Sequence, residues 1–160
     1  MERLAVSRSG YLRSEVVHML IGTILRGKGS DVTTVTPEST VRDLLAKLAE
    51  HNIGAVVVST DGATIDGIVS ERDVVRRLHD RGAAVLDAPV SSIMTTEVRT
   101  VGPRDNAHQL RETMTTHRVR HMPVVEDGRL VGIVSIGDIV KSAIEELETE
   151  KASLVDYLHR

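Results

Sequence analysis

Two short segments of the chain combine a hydroxyl, a carboxylate and a strand-to-helix turn in the same order. Residues 67–73 read Gly-Ile-Val-Ser-Glu-Arg-Asp, and residues 132–138 read Gly-Ile-Val-Ser-Ile-Gly-Asp. In each, the serine can cap a helix, and the aspartate can accept hydrogen bonds from backbone N–H groups or from a ligand's hydroxyls. A helix N-terminus also favours a phosphate. One copy alone would indicate capping only, whereas two copies favour a pair of sites for a phosphorylated ligand.

The two motifs lie at matching positions of a longer internal repeat. Residues 31–37 (Asp-Val-Thr-Thr-Val-Thr-Pro) match residues 97–103 (Glu-Val-Arg-Thr-Val-Gly-Pro), and helix-capping residues follow at Thr40 and Asn106. Apolar residues at helical spacing come next in both copies, and then two short apolar segments typical of strands. Each copy is therefore predicted to form a strand, a helix, two strands and a closing helix.

The pattern also predicts where the later elements of each copy begin and end. The predicted hairpin turns lie at Asp61-Gly62 and Asp127-Gly128, the second hairpin strands at residues 65–70 and 130–135, and the closing helices at residues 71–81 and from Ile136 towards Leu158.

The repeats divide the chain into five segments. These are an N-terminal tail at 1–15, a first repeat with a leading helix at 16–82, a linker at 83–94, a second repeat at 95–145 and a C-terminal helical extension at 146–160. Either repeat alone is too small for a secure core, so the two are expected to pack as a pseudo-two-fold pair. The predicted fold class is α/β (α+β), with two tandem β-α-β-β-α units.

Composition narrows the function further. The 160 residues carry a net charge of −3 and include only two aromatic residues, Tyr11 and Tyr157, which argues against nucleic acid as a partner. The absence of cysteine excludes disulfides and thiol chemistry. No apolar run is long enough for a membrane span and the N-terminus does not resemble a secretory signal, so a cytoplasmic protein is expected.

No set of residues in the sequence is typical of a catalytic site, so we expect a protein that is not an enzyme. His117 and His121 have the helical spacing of metal ligands, but the helix is predicted to end between them. No acidic or cysteine ligand completes the set, and no metal is expected.

The duplicated Gly-Ile-Val-Ser-x-x-Asp motif, together with Val-Arg-His-Met-Pro-Val-Val at residues 119–125, resembles the CBS-domain family. The resemblance covers about residues 17–145, and the two copies look like a Bateman module of the stand-alone bacterial kind. It implies a regulatory protein that binds an adenine nucleotide in the cleft between the repeats. AMP is the first expectation, with ATP, ADP or NAD as related ligands.

The resemblance also implies roles for individual residues. Serine and aspartate of each motif would face the ribose, backbone groups beside each first strand would hold the adenine edge, and a basic pair would contact the phosphate. An arginine before the first motif aspartate would reach across to the other copy's ligand. These roles fall, in that order, on Ser70, Asp73, Ser135 and Asp138; on Thr34, Val35, Thr100 and Val101; on Arg120 and His121; and on Arg72.

The two copies differ at the phosphate positions. The first has Gly54-Ala55 where the second has Arg120-His121, and the second has Gly137 where the first has Arg72. Family geometry leads us to group Arg120, His121 and Arg72 with Asp138, and hence to expect tighter nucleotide binding at the Asp138 cleft.

Two alternatives remain open at this stage. The same cleft could bind NAD(H) or S-adenosylmethionine, or the chain could be a structural dimerisation module with vestigial clefts. The helix from Ile136 carries an apolar stripe longer than a closing helix requires, so a homodimer is expected, with an effector protein of unknown identity as a further partner.

Overall fold

The computed structural model describes residues 19–159 of the chain. Within them lie α1 Ile21–Lys28, β1 Thr34–Val35, α2 Val41–His51, β2 Ala55–Val58, β3 Gly67–Ser70, α3 Glu71–Arg81, α4 Ala107–His117, β4 His121–Glu126, β5 Arg129–Ser135 and α5 Ile136–Leu158. Two short 3₁₀ helices, Gly82–Asp87 and Val90–Ser92, lie between α3 and α4. The predicted tail at 1–15, residues 16–18 of the predicted leading helix and the last residue of the predicted extension lie outside the described residues.

The first repeat forms the predicted order of elements. Strand β1 runs parallel to β2, which pairs antiparallel with β3. Helix α2 begins after Thr40, whose N–H and Oγ1 both donate hydrogen bonds to Asp43, while the Asp43 N–H donates to Thr40 Oγ1. This reciprocal capping satisfies backbone donors that would otherwise have no partner. The side-chain hydrogen bond from Thr40 also lowers the pKa of Asp43.

The second repeat departs from the prediction at its first strand. Strands β4 and β5 form a two-stranded antiparallel hairpin that turns at Asp127-Gly128, where φ is 50° and 75° as two-residue hairpins require. The predicted strand at residues 97–103 is reduced to one parallel bridge between Val101 and Val124. Pairing does not extend along β4 because Pro123 has no N–H to donate and a bulge follows at Val124/Val125.

The second strand of the first hairpin is shorter than predicted, because β3 begins at Gly67 rather than at Ile65. The preceding loop is closed by Asp61, whose Oδ1 accepts hydrogen bonds from the N–H groups of Ala63 and Thr64. Such aspartate-centred turns are a local alternative to strand pairing. The hydrogen bonds, with that from the Thr64 N–H the strongest, hold the pKa of Asp61 well below its usual range.

Each repeat is completed by the segment that precedes the other repeat. Helix α1 contributes Ile21 and Leu25 to the second core, formed with residues of α4, β4, β5 and α5. The predicted linker 83–94 contributes Val85, Val90 and Ile93 to the first core. The sequence order therefore places α1 with the first repeat, whereas its packing places it with the second.

We call α1 and residues 83–94, which precede the two repeats, the leading segments. Their backbone hydrogen bonds have the same pattern. The Ile21 N–H donates to the Asp105 carbonyl, as the Val90 N–H does to Ser39. The exchange ties the two repeats into one folding unit, because removing either leading segment would open the core of the other repeat.

Helix α5 continues for 23 residues and leaves the second core after its first turns. Its exposed face carries large apolar side chains, namely Val140, Ile144, Leu147, Leu154, Val155 and Leu158. Within residues 19–159, no helix combines the length and the apolar character that crossing a membrane demands.

Substitution of Gly67, the first residue of the first motif, tests how closely Met94 and Thr95 approach β3. A Cβ added at Gly67 would lie 2.7 Å from Met94 Sδ and 2.9 Å from the Thr95 carbonyl oxygen. We expect Gly67→Ala to reduce the free energy of unfolding by about 1–3 kcal/mol, because the backbone at Thr95 cannot move without breaking its pairing with Ile68. Urea unfolding measures the change.

The control for this substitution is Gly27→Ala, in α1. Nothing lies within 4 Å of a Cβ added at Gly27, so alanine there should stabilise the helix by up to about 1 kcal/mol. A Gly67→Ala variant as stable as the wild type would mean that Met94 and Thr95 do not pack against β3 as described.

Candidate functional site

The first motif turns β3 directly into α3 and directs Asp73 towards the start of the helix. The Ser70 N–H and the Ser70 hydroxyl both donate to Asp73 Oδ2, each at 2.8 Å. Within the described part of the chain, Asp73 Oδ1 has no hydrogen-bond donor and the carboxylate has no cation partner. One oxygen of the Asp73 carboxylate is therefore available to a ligand's hydroxyl.

A cavity of about 520 Å³ opens at this turn, between the two repeats. Its lining comprises Gly54, Ala55, Ile68, Ser70, Glu71, Arg72, Asp73 and Arg76 of the first repeat, Thr95, Glu97, Val98 and Arg99 of the junction, and His117, Arg118, Val119, Arg120 and His121 of the second. We call it the Asp73 cavity. It is large enough for a ligand of nucleotide size.

The charge of the Asp73 cavity is predominantly positive. Its lining holds five arginines and two histidines against three carboxylates. Arginine forms forked, charge-assisted hydrogen bonds with phosphate, so this cavity suits an anionic ligand. The available oxygen of Asp73 adds one acceptor for a ligand's hydroxyl within the same space.

His121 lies at the contact between the repeats and is half-buried. A Cβ added at Gly54 would lie 3.3 Å from His121 Cε1, so the imidazole occupies the space that a side chain at Gly54 would need. Burial lowers the pKa of His121, and the positive charge of Lys28 lowers it further, while Asp138 and Glu71 act in the opposite direction. The net result is an imidazole that is harder to protonate than a free histidine.

The structure brings together five of the site residues expected from the sequence and rearranges their grouping. Ser70, Arg72, Asp73, Arg120 and His121 all line the Asp73 cavity. The expected grouping with Asp138 is therefore changed for Arg72 and Arg120, which line a cavity that Asp138 does not line. His121 lies near both motif aspartates, because it pairs with Ser135 in the hairpin and the charge of Asp138 acts on its pKa.

Ser135 and Asp138 are not among the lining residues of the Asp73 cavity. They form the second turn, where the Ser135 N–H donates to Asp138 Oδ2 at 2.8 Å and the Asp138 N–H donates to Ser135 Oγ. Lys28 Nζ donates to the same Asp138 oxygen at 2.6 Å. Burial acts to raise the pKa of Asp138, but the hydrogen bonds from Lys28 and Ser135 outweigh it, so the pKa is lowered.

The four residues expected to hold the adenine edge do not line the Asp73 cavity either. Thr34 and Val35 are paired with β2, and the Val35 carbonyl accepts from the Ser59 N–H. At Val101, the N–H donates to Pro123 and the carbonyl accepts from Val125. These groups are used within the fold, and Thr100 lies just beyond the cavity wall, which residues 97–99 form instead.

Sequence reasoning missed three arginines of the lining: Arg76, Arg99 and Arg118. Arg118 carried a detectable signal, because it ends α4 in the left-handed conformation (φ 53°) that Asn52 adopts at the end of α2. Asparagine tolerates this conformation better than arginine does, so an arginine there departs from the local preference beside the cavity.

Comparison with known proteins identifies the family. The family model described as "CBS domain" matches residues 28–80 and again residues 90–145. The chain belongs to the CBS-domain family. A solved CBS-domain protein, ATU1752 from Agrobacterium tumefaciens, is 44% identical, with a TM-score of 0.76 over 78% of this chain and 99% of that one.

Two further CBS structures contain adenosine ligands. The CBS domain protein PAE2072 from Pyrobaculum aerophilum, complexed with AMP, is 30% identical with a TM-score of 0.67, over 75% of this chain and 89% of that chain. The CBS domain pair of MJ0100, solved with 5′-methylthioadenosine and S-adenosyl-L-methionine, shares the fold at 23% identity, with a TM-score of 0.71 over 81% of this chain and 98% of that chain.

His117 and His121, whose spacing would suit metal ligands on a helix, lie in different elements. His117 ends α4 and His121 begins β4, so the two side chains are not on one helix face. Across residues 19–159, no group of three histidine, aspartate or glutamate side chains is arranged to hold an ion.

The lowered pKa of His121 predicts a pH effect on stability. Below about pH 6.5 the unfolded chain protonates this histidine while the folded chain resists, so folding stability falls as the pH falls towards the folded-state pKa. His121→Ala introduces the alanine that the first repeat has at the matching position, Ala55. We expect this variant to lose less folding stability than the wild type between about pH 7.5 and pH 5.

Thermal unfolding at the two pH values measures this difference, and His79→Ala serves as the control because His79 lies outside the cavity lining. Equal losses in the wild type and in His121→Ala would contradict the burial of a neutral imidazole at the repeat contact.

Proposed function

We propose that this CBS pair is a non-catalytic regulatory module that binds an adenine nucleotide, AMP above all, in the Asp73 cavity. One observation carries the proposal: a single cavity contains both an available aspartate oxygen and a cluster of arginines. A ribose needs the first and a phosphate needs the second. The AMP complex of PAE2072 supports the same ligand class for this chain.

In this proposal, Asp73 accepts hydrogen bonds from the ribose hydroxyls through Oδ1. Arg72 and Arg120 approach the phosphate from opposite repeats, so the nucleotide bridges the two halves of the CBS pair. Residues 97–99 line the same cavity and would supply backbone groups for the adenine edge. Binding would stabilise the contact between repeats, which gives the module a signal to transmit.

The charge of the cavity favours a phosphate-bearing ligand over S-adenosylmethionine. S-adenosylmethionine carries a net positive charge, so five arginines would repel its sulfonium and ammonium, and its single carboxylate offers them fewer acceptors than a phosphate does. NAD and ATP offer more phosphate than AMP and remain alternatives within the same proposal. We therefore propose a phosphate-bearing nucleotide rather than S-adenosylmethionine.

The test compares AMP with adenosine by titration calorimetry on two variants. Arg120→Ala should weaken AMP binding about tenfold to a hundredfold and adenosine binding much less, because only AMP presents an anion. Asp73→Asn should weaken both ligands, because both carry the ribose diol. Arg129→Ala, which removes an exposed arginine of β5 outside the cavity lining, is the control for net charge.

Two results would count against the proposal. Equal losses for AMP and adenosine in Arg120→Ala would mean that this arginine shapes the cavity without contacting the phosphate. No binding of AMP, ADP, ATP or NAD by the folded wild type would favour the alternative of a structural module with vestigial clefts.

We also propose that two copies associate through α5. The exposed apolar residues of this helix form a face that nothing else in the described chain covers, and Ile144 and Leu147 are 51% and 65% exposed. A second copy of the same helix, related by a two-fold axis, would bury both faces at once. The dimer would give the module a surface through which ligand binding reaches an effector.

The dimer proposal predicts a species of twice 17.5 kDa at tens of micromolar in sedimentation velocity. Leu147→Glu should shift the protein towards the monomer, because it places a charge in the buried face. Ala46→Glu, an exposed substitution on α2, should leave the dimer intact. A wild-type monomer under these conditions would contradict the proposal.

A further inference from the structure

The two motif aspartates differ in their charge partners. Lys28 Nζ lies 2.6 Å from Asp138 Oδ2 and also donates to the Ile133 carbonyl oxygen at 3.0 Å. Lys28 is the last residue of α1, far from Asp138 in sequence. Among the described residues, Asp73 has no corresponding cation within ion-pair distance.

The path of the leading segment explains why Lys28 reaches this position. Beside the first repeat, the chain that follows the second 3₁₀ helix, Val90–Ser92, pairs with β3 at Thr95. There the Thr95 N–H donates to the Ile68 carbonyl. In the second repeat, α1 remains helical to Lys28, and the carbonyl of Ile133, which matches Ile68 in the repeated motif, accepts from the lysine ammonium instead. The side chain therefore replaces a backbone donor.

Residues of the chain beside Asp73 include an acidic side chain and no equivalent of Lys28. Leu25 faces Gly132 as Met94 faces Gly67, but α1 remains helical from Leu25 to Lys28 whereas no helix follows Met94 directly, and Glu97 matches Asp31 in the repeat. Glu97 lines the Asp73 cavity and cannot neutralise Asp73.

The lysine changes what the second turn can bind. A ribose diol binds most strongly to an ionised carboxylate without a cation partner, and Lys28 neutralises Asp138 in a half-exposed ion pair, with side-chain exposures of 37% and 23%. Like Asp73 Oδ1, Asp138 Oδ1 has no hydrogen-bond donor among the described residues, so a ligand's hydroxyl could reach it, but the ammonium at Oδ2 already compensates the charge of the carboxylate.

We propose that Lys28 determines which cleft binds, by neutralising Asp138 in the second cleft so that each chain holds one nucleotide, in the Asp73 cavity. This inference rests on the proposed function, which concerns the ligand, and adds a residue that sets the number and place of its sites. It reverses the preference that the sequence alone suggests for Asp138.

The experiment measures the number of AMP molecules bound per chain by equilibrium dialysis with labelled AMP. The wild type should bind one, and Asp73→Asn should remove it. Lys28→Met, which keeps most of the length of the side chain without the charge, should bind two, and the added site should disappear in Lys28→Met/Asp138→Asn. Arg26→Met, on the same helix, removes a side chain that bonds Thr23 within the described residues and should still bind one.

The outcomes separate this inference from the proposed function. One AMP in both the wild type and Lys28→Met would overturn the role of Lys28 while leaving the Asp73 site in place, and two AMP in the wild type would do the same. No AMP in the wild type with one in Lys28→Met would support the neutralising role of Lys28 and refute the Asp73 site. No AMP in either protein would refute both.

Discussion

The contact between Gly54, which precedes β2, and His121, the first residue of β4, is the constraint on which the site depends. The two repeats meet so closely there that a side chain at Gly54 would press on the imidazole of His121. The second repeat carries Arg120 and His121, so the positive charge collects on the side of Asp73. A symmetric pair of repeats thereby produces unequal clefts, one open and basic, the other with its aspartate already paired.

The exchanged leading segments hold this contact in place. Since α1 completes the second core and residues 83–94 complete the first, neither repeat can shift without disturbing the core of its neighbour. Helix α1 also supplies Lys28 to the second turn. Packing and site chemistry are therefore set by the same residues, which links ligand binding to the stability of the whole CBS pair.

The local signals of the fold were readable from the sequence, because they depend on near neighbours. The serine and aspartate of each motif, the helix cap at Thr40 and the turn at Asp127-Gly128 act within a few residues of one another. The family and the membership of Arg72, Arg120 and His121 in a site follow from the same motifs. The lost strand near Val101 depends on Pro123, a residue of another element, and was not predictable from the segment itself.

What the sequence could not provide is the placement of one repeat against the other. The grouping of Arg120 with Asp73, the arginines at positions 99 and 118, and the reach of Lys28 to Asp138 all follow from that placement.

The most direct measurement of where the nucleotide binds is a crystal structure of the chain grown with AMP. We predict the ribose at Asp73, the phosphate between Arg72 and Arg120, and Lys28 still bound to Asp138. A nucleotide at Asp138 with Lys28 displaced, and none at Asp73, would contradict it.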